Sequence, residues 1–206
     1  MTTEEHDSRS ARKRQAILRA ARSVFLHQGY LGTSMDEIAA RACVSKQTVY
    51  KHFTDKERLF IEIVTSTVDE VSDPVYAEVL GLQDSGDPQR DLTDLARRQL
   101  AGVMVPELLA LRRLVIAEAT RFPDLGRAFY DRGPGRTMAA LSAAFARLHD
   151  QGRLRCPDPE LAARHFTWLV MGEPLNQAML LGRADTALEC WAAESVAAFM
   201  AAYGAV

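Results

Sequence analysis

The sequence predicts an all-α protein, in which a small N-terminal three-helix module precedes a larger C-terminal helical bundle. Apolar residues recur with a period of 3.6 along most of the 206-residue chain, whereas the period-2 alternation typical of strands is almost absent. Ser, Asp, Gly and Pro stand where helices of ordinary length would begin and end. The two patterns agree, so we expect a helical core of substantial size.

The first two helices follow from an apolar face and a capping signal. A helix over 9–28 ends near Gly29, and the polar residues 1–8 before it are predicted to be a disordered tail. Ser34 and Glu37 form a capping box, in which each side chain is expected to satisfy a free amide at the start of a short helix. The side chains predicted to face the core of this module are Ile17, Ala21, Val24, Phe25, Met35, Ile38, Ala39 and Ala42.

A third short helix follows a tight turn. Cys43 marks the break, after which Ser45 is expected to cap a helix that ends at His52 or Phe53. Two short helices joined by such a turn and packed on a preceding helix form a helix-turn-helix. In this motif the second helix lies in the major groove of DNA with its N-terminal residues at base edges. We therefore interpret residues 9–55 as a DNA-binding domain.

Residues 56–206 form the predicted body of the protein. A second capping box at 54–57 begins a long helix over 55–80, and the Gly-containing segment 81–88 is the strongest loop signal in the chain. The pattern of Pro and Gly then divides the remainder into helices of ordinary length. These helices are predicted over 88–104, 107–121, 124–132, 134–151, 158–182 and 186–203.

Charge is distributed unevenly along the chain. The whole sequence carries a net charge of -2, but the segment from Arg9 to Arg58 contains eleven basic and four acidic residues, a net +7, which leaves −9 for the rest. A basic head on an acidic body predicts a polyanionic partner for the head alone. A solvated, charged helix face explains the same charges, so their distribution does not decide the matter.

The predicted recognition helix carries a hydrogen-bonding side chain at almost every position that is not an apolar anchor. Val44, Val49 and Phe53 are the anchors. Lys46 suits the O6 and N7 acceptors of guanine, and Gln47 suits the N6 and N7 edge of adenine, so these two are our predicted base readers. The other predicted DNA contacts, to phosphates, a thymine methyl or the groove walls, are Thr33, Ser34, Ser45, Thr48, Tyr50, Lys51, His52 and Lys56.

Two segments of the chain resemble a known family. The runs TSMDEIAARA (33–42), VSKQTVYKHF (44–53) and DKE (55–57) resemble the DNA-binding domain of the tetracycline-repressor (TetR) family, with the family's spacing. The run RRLVIAEA at 112–119, followed by RFPDL at 121–125, resembles its AefR-like C-terminal subgroup. The resemblance implies an all-helical homodimer with a small N-terminal DNA-binding domain and a larger effector-binding body.

One position departs from the family's pattern. Cys43 stands in the turn where the family usually has Gly. If the backbone there is left-handed, a residue other than Gly costs about 1 kcal/mol or more. Two interpretations stay open: Cys43 is a small buried residue that fills the turn, or its thiol is a redox switch beside the recognition helix.

The last two predicted helices, 158–182 and 186–203, carry apolar residues on more than one face. The core of a single chain can absorb one such face, whereas two adjacent faces indicate a subunit interface. By the family resemblance these helices form a four-helix bundle with those of a second copy. The predicted interface residues are Leu161, Trp168, Leu169, Leu175, Leu188, Trp191, Val196 and Phe199.

The effector site is predicted from large side chains on the body helices. We expect them to enclose a cavity for a small, largely apolar effector, although each of them is also an ordinary core residue. Arg112, Arg113 and Glu118 are interpreted as charges that pair on a solvated helix face, which needs no effector. The candidate effector-binding residues are Met104, Phe122, Phe129, Met138, Phe145, His165, Trp168 and Met171.

Together with these patterns, the family resemblance implies a repressor that binds a palindromic operator as a homodimer and is released from it by a small molecule. The alternative is an effector-independent architectural or partner-recruiting DNA-binding protein. The chain shows no nucleophile–base pair, metal-ligand cluster or Gly-rich phosphate loop, so we expect no enzyme activity, no metal and no cofactor. Three widely spaced cysteines and the lack of a long apolar run predict a cytoplasmic protein that makes no membrane contact.

Overall fold

The all-α prediction is confirmed by the computed structural model, which describes residues 3–183 and 187–205, with side chains described from Arg9 onward. Within these residues the chain forms α-helices, one short 3₁₀ turn at Leu82–Asp84 and an isolated bridge between Leu154 and Gly204. The helices are α1 Thr3–Gly32, α2 Met35–Arg41, α3 Lys46–His52, α4 Lys56–Gly81, α5 Pro88–Val103, α6 Pro106–Glu118, α7 Pro123–Arg132, α8 Pro134–Asp150, α9 Pro159–Leu181 and α10 Leu188–Tyr203.

Helix α1 differs from its predicted bounds at both ends. It begins at Thr3, so residues 3–8 of the predicted tail continue the helix, since this polar segment contains no Gly or Pro to end it. Met1 and Thr2 lie outside the described residues. The predicted break at Gly29 is present, with a φ of 72° and a ψ of 177°, but one further helical turn follows it. The predicted start of the last helix, at 186, also lies outside the described residues.

The structure confirms the N-caps predicted at Ser34 and Ser45 and shifts a third. The hydroxyls of Ser34 and Ser45 accept hydrogen bonds from the amides three residues ahead, at 3.1 and 3.2 Å. Asp87 caps α5 in the same way, at 3.1 Å. Helix α4 is capped by Asp55 at 2.7 Å and not by Thr54, because a carboxylate accepts an amide hydrogen bond more strongly than a hydroxyl does.

The chain divides into two compact units. The first extends to Thr67 and includes Ala110–Phe129, so it contains more of the chain than the predicted module. Aromatic rings form much of its core. The ring of Phe25 lies 4.7 Å from that of Phe60, and the ring of Tyr30 lies 5.2 Å from Phe60 and 4.7 Å from Phe122.

The second unit comprises Val68–Leu109 and the residues from Tyr130 onward. Helix α10 packs against α5 and α9, and α8 packs against α9. At the centre, the ring of Phe199 lies 5.3 Å from Phe145 and 5.4 Å from Phe166, and all three side chains are fully buried. The apolar faces of α9 and α10 are therefore partly buried in the core of the chain itself.

Candidate functional site

Helix α3 is held on the first unit by its apolar side and turns a polar side outward. Val49 is fully buried, Phe53 is almost so, and the guanidinium of Arg14 lies 5.3 Å from the centre of the Phe53 ring. Gln47, Tyr50 and Lys51 are exposed on the opposite side of the helix. The structure therefore presents three of the predicted DNA contacts together on one anchored surface.

The turn before α3 adopts the left-handed backbone that a family glycine would favour. Cys43 has a φ of 54°, and its amide donates to the carbonyl of Ala40 at 3.1 Å. The amide of the next residue, Val44, donates to the Ala39 carbonyl at 3.0 Å, so the strained residue closes a hydrogen-bonded turn. The Cys43 side chain is exposed, and the interpretation of this residue as a buried filler is therefore wrong.

Lys46, the first residue of α3, is paired with a carboxylate of α2. Its ammonium nitrogen lies 2.7 Å from Oδ1 and 3.0 Å from Oδ2 of Asp36. The hydrogen bond to Asp36 raises the pKa of Lys46, so the lysine stays charged. Sequence patterns did not indicate this pair, because the two residues belong to different helices and meet only when the turn closes.

The serine and threonine hydroxyls near α3 are engaged in helix capping. Ser45 Oγ accepts from the amide of Thr48 and lies 2.8 Å from Thr48 Oγ1. Ser34 Oγ accepts from the amide of Glu37. A hydroxyl can donate and accept at once, so the exposed Ser34 and Ser45 keep capacity for a phosphate oxygen.

Two predicted phosphate contacts point into the first unit instead. Thr33 is only 3% exposed, and its hydroxyl donates to the Gly29 carbonyl at 2.7 Å. The ammonium of Lys56 donates to the carbonyls of Tyr30 and Thr33, both at 2.9 Å, and lies 4.4 Å from the centre of the Tyr30 ring. The break at Gly29 leaves carbonyl groups free, and these side chains satisfy them. The buried Thr33 is therefore not available to a phosphate, whereas Lys56 is half-buried and has two of its three N–H groups engaged within the first unit.

His52 ends α3 in a half-buried position. Burial lowers its pKa, and the positive charges of Arg14, Lys51 and Lys13 lower that pKa further. The imidazole is therefore neutral near pH 7 in the unbound protein.

The predicted interface residues fall into three groups in the second unit. Leu161, Trp168 and Leu169 are exposed on α9, and Trp168 retains 65% of its full accessibility. Leu175, Leu188 and Trp191 are half-buried. Val196 and Phe199 are fully buried within their own chain, so their side chains cannot contact a second copy. The helical spacing of Val196 and Phe199 is typical of a buried face as well as of an interface. In the structure this face of α10 is buried, and α10 packs against α5 and α9.

The eight candidate effector residues do not meet in one described cavity. Phe122 and Phe129 belong to the first unit and the other six to the second. Phe145 and Met171 are buried core residues, and Met104 packs partly buried against that core. His165 is exposed and bonds to the Tyr203 hydroxyl at 2.5 Å, and Trp168 also faces outward.

A surface groove of about 680 Å³ lies in the second unit. Met138 contributes to it, but so do the charged side chains of Arg136, Glu160 and Arg164, and the groove is open to solvent. It is therefore not the apolar cavity that the sequence predicted.

Sequence reasoning missed two buried polar groups. Gln99, on α5, is 6% exposed, and its Oε1 lacks a hydrogen-bond partner. Arg112, on α6, is half-buried with its Nε atom unsatisfied, so the interpretation of this residue as part of a paired, solvated face is wrong. The spacing from Arg112 to the buried Val115 was the available signal, because residues three apart share a helix face.

Residues 3–183 and 187–205 bring together no group of three His, Cys, Asp or Glu side chains that could hold a metal ion. No helix in the described part of the chain is both long and apolar enough to cross a membrane.

Two family models match the chain. The model for bacterial regulatory proteins of the tetR family matches residues 17–63, and the model for the C-terminal domain of AefR-like transcriptional repressors matches residues 90–205. Among relatives, the transcriptional activator FasR of Mycolicibacterium smegmatis is 42% identical over 59 residues, which are 29% of this chain and 27% of that protein. This chain therefore covers little more than a quarter of FasR.

Solved structures match over nearly the full length. A TetR-family regulator from Mesorhizobium loti is 46% identical with a TM-score of 0.88, and the match covers 95% of this chain and 98% of that one. The flavonoid-responsive regulator FrrA is 33% identical with a TM-score of 0.74, over 94% of this chain and 98% of that one. With the C-terminal model matching more than half of its residues, the chain belongs to the TetR family of bacterial transcriptional regulators.

Proposed function

We propose that this chain is a sequence-specific transcriptional repressor, which binds a palindromic operator as a homodimer and is released by a small-molecule effector. The observation that carries the proposal is the outer face of α3. Gln47, Tyr50 and Lys51 are exposed there, on a helix that Val49 and Phe53 anchor to a basic unit. A rigid helix with an outward polar face is what major-groove reading requires.

Base reading is assigned to the first turn of α3. Gln47 is free to form two hydrogen bonds with adenine N6 and N7, and Lys46 reaches guanine O6 or N7 when it leaves Asp36. Tyr50, Lys51 and His52, together with the hydroxyls of Ser34 and Ser45, are proposed to contact phosphates. Every proposed DNA contact lies in 9–55, which we retain as the DNA-binding domain, and we assign dimerisation and effector binding to 56–206.

The exposed apolar side of α9 supports a dimer. Leu161, Trp168, Leu169, Leu180 and Leu181 each keep at least 39% of their accessible surface. Large exposed apolar patches mark interaction surfaces. Two copies joined here would set the separation of their recognition helices, which must be about 34–36 Å or a multiple to read two half-sites.

Release by an effector is supported by similarity, since one solved structure with 33% identity is of a flavonoid-responsive regulator. Repression is supported by the description of the C-terminal family model, although FasR is an activator. An effector that favours a different separation of the recognition helices weakens operator binding by shifting the conformational equilibrium. We further propose that the protein acts in the cytoplasm and has no enzyme activity.

The proposal is tested by selecting bound sequences from a random duplex library and measuring affinity for the selected operator by fluorescence anisotropy. We expect the logarithm of the affinity to fall steeply and linearly with the logarithm of salt concentration, since each DNA-binding domain neutralises several phosphates. A flat salt dependence would contradict the proposal. Equal affinity for the operator and a scrambled duplex would support the architectural alternative instead.

A further inference from the structure

Arg112 is a cation whose surroundings in the structure supply no anion. Its Nε atom is fully buried and has no hydrogen-bond partner. Among the residues that the structure describes, no carboxylate lies within 4.0 Å of the guanidinium. The side chain lies on the same face of α6 as Val115, which is 3% exposed, so it is held at the apolar side of the helix.

The nearest partner of the guanidinium is an aromatic ring. The Cζ atom of Arg112 lies 5.0 Å from the centre of the Phe129 ring, which is itself buried. A ring face attracts the positive charge, but it accepts none of the five N–H hydrogen bonds in the ordinary sense. Burial alone lowers the pKa of Arg112, and no neighbouring charge offsets that effect.

Several other arginines of the chain differ from Arg112 because they are paired with a carboxylate. Those that form ion pairs lie near a carboxylate of the same helix or of a neighbouring one. Burial of an unpaired charge is strongly unfavourable, so a buried polar group without a partner calls for an explanation, and a bound anion is one that supplies the missing acceptor. Arginines with a carboxylate partner include Arg14, Arg97, Arg98, Arg132, Arg136 and Arg164.

We propose that Arg112 binds the carboxylate of an organic acid. Its planar guanidinium donates two parallel hydrogen bonds to the two carboxylate oxygens, while Phe129 holds the plane of the guanidinium from one side. A singly charged carboxylate on an apolar body suits this site better than a phosphate, because the apolar surroundings disfavour a second charge. The inference rests on the proposed function only in naming this acid as the effector.

The test measures binding without DNA, on the full-length protein at constant ionic strength. The probes are benzoate and hexanoate, each compared with its neutral amide of the same shape, by thermal shift and by titration calorimetry. We expect the acids to raise the melting temperature saturably with one site per chain, and the amides to leave it unchanged. Failure of both acids to bind the wild-type protein would overturn the proposal.

Variants locate the site. Arg112→Met keeps the length of the side chain but removes the charge, and it should weaken acid binding about 10- to 100-fold, as for the loss of charged hydrogen bonds. Arg121→Met is the matched control, since Arg121 is exposed and lies 5.2 Å from the centre of the Phe122 ring. Equal acid binding by wild type and Arg112→Met would overturn the proposal, as would a loss of binding in Arg121→Met of the same size.

A purely structural role for Arg112 predicts a different result. Without ligand, Arg112→Met should melt at or above the wild-type temperature, because an unpaired charge leaves the interior. A large fall in melting temperature would show that Arg112 serves the fold and would overturn the proposal. If that variant does not fold, Arg112→Lys retains the charge without the planar fork and should bind the acids more weakly than wild type. Acid binding by Arg112→Lys at wild-type strength would contradict the bidentate contact.

Operator binding separates this inference from the proposed function. Acid binding that depends on Arg112 but leaves operator affinity unchanged would support the site and contradict release by this effector. Operator release by another ligand in Arg112→Met, as strong as in wild type, would support ligand release and contradict the role of Arg112.

Discussion

The ammonium nitrogen of Lys46 lies 2.7 Å from Oδ1 of Asp36, so the first side chain of the recognition helix is paired with an acid before DNA is bound. Both side chains are exposed, by 59% and 64%, so solvent screens the pair and it contributes little to the stability of the fold. The pair joins α2 to α3 across the turn. Its consequence concerns binding: a base or phosphate that takes Lys46 must compete with Asp36.

Asp36→Asn should release Lys46 from this competition. We expect affinity for a scrambled duplex to rise by about twofold to fivefold, the equivalent of an exposed ion pair. The salt slope should steepen by about one unit, because the freed lysine contacts an additional phosphate. Anisotropy titrations on operator and scrambled duplex across a salt series measure both. Asp36→Glu is the control that retains the charge, and an unchanged slope in Asp36→Asn would count against the competition.

Gln47→Ala should relax sequence preference at a single base pair. The loss of a two-hydrogen-bond contact to adenine reduces discrimination there by about 1–3 kcal/mol. The measurement is the affinity for the operator and for variants with each position substituted. Gln89, exposed on α5, provides the control substitution Gln89→Ala, which should leave every position unchanged. If Gln47→Ala leaves all preferences intact, Gln47 is not a base reader.

The helical fold was predictable because its signals are local. The caps at Ser34, Ser45 and Asp87 each join residues three apart, and the inward faces follow from a period of 3.6. The cap of α4 was predicted at Thr54 and lies at Asp55 instead, one residue away, because both side chains can cap the same helix. Local patterns therefore fixed the helices to within a few residues at most ends.

The roles of individual side chains depend on contacts between distant residues. Lys56 resembled a phosphate ligand, but its ammonium lies 2.9 Å from the Tyr30 carbonyl, 26 residues earlier in the chain. Val196 and Phe199 have the spacing expected of an interface, but both side chains are fully buried in the core of their own chain. In the sequence, Glu118 stands six positions after Arg112 on the same helix and looks like a partner for it. In the structure, the Nε atom of Arg112 has no hydrogen-bond partner. Spacing alone cannot tell a paired charge from an unpaired one.

Cys43→Gly should stabilise the protein. With φ at 54°, Cys43 carries a left-handed strain of about 1–2 kcal/mol, which Gly does not. Gly also gains entropy in the unfolded chain, which offsets about 0.4–1 kcal/mol of that relief. We therefore expect a net gain of up to about 1.6 kcal/mol, centred at about 0.8 kcal/mol, in the free energy of unfolding, measured with urea. Cys43→Ala retains a Cβ atom and is the control; equal stability of the two variants would contradict strain at this turn.

Trp168→Glu should dissociate the proposed dimer. Trp168 is 65% exposed on the apolar side of α9, and two copies related by symmetry would bring two carboxylates to that surface. Sedimentation equilibrium should show monomers, and operator affinity should fall because each half-site is then bound separately. Ile116→Glu replaces a side chain of similar exposure, 60%, on α6 and should stay dimeric. A stable Trp168→Glu dimer would place the interface elsewhere.

His52 should make both stability and DNA binding depend on pH, with opposite signs. Its pKa in the folded protein is lowered below 6.5, so the unfolded chain binds more protons at mildly acidic pH. Above about pH 6.5 the imidazole is neutral in both states and does not affect stability. The free energy of unfolding then decreases as the pH falls from there through the lowered pKa of the folded protein.

A phosphate beside the imidazole favours the charged form, so DNA binding takes up a proton, and operator affinity should rise as the pH falls from 8 to about 6. His52→Gln should reduce both dependences, whereas His27→Gln, at an exposed position on α1 outside the proposed DNA contacts, should leave the pH dependence of operator binding as in wild type. Urea unfolding and anisotropy titrations at matched pH values measure them. If operator affinity shows the same pH dependence in wild type and His52→Gln, His52 does not contact the DNA backbone.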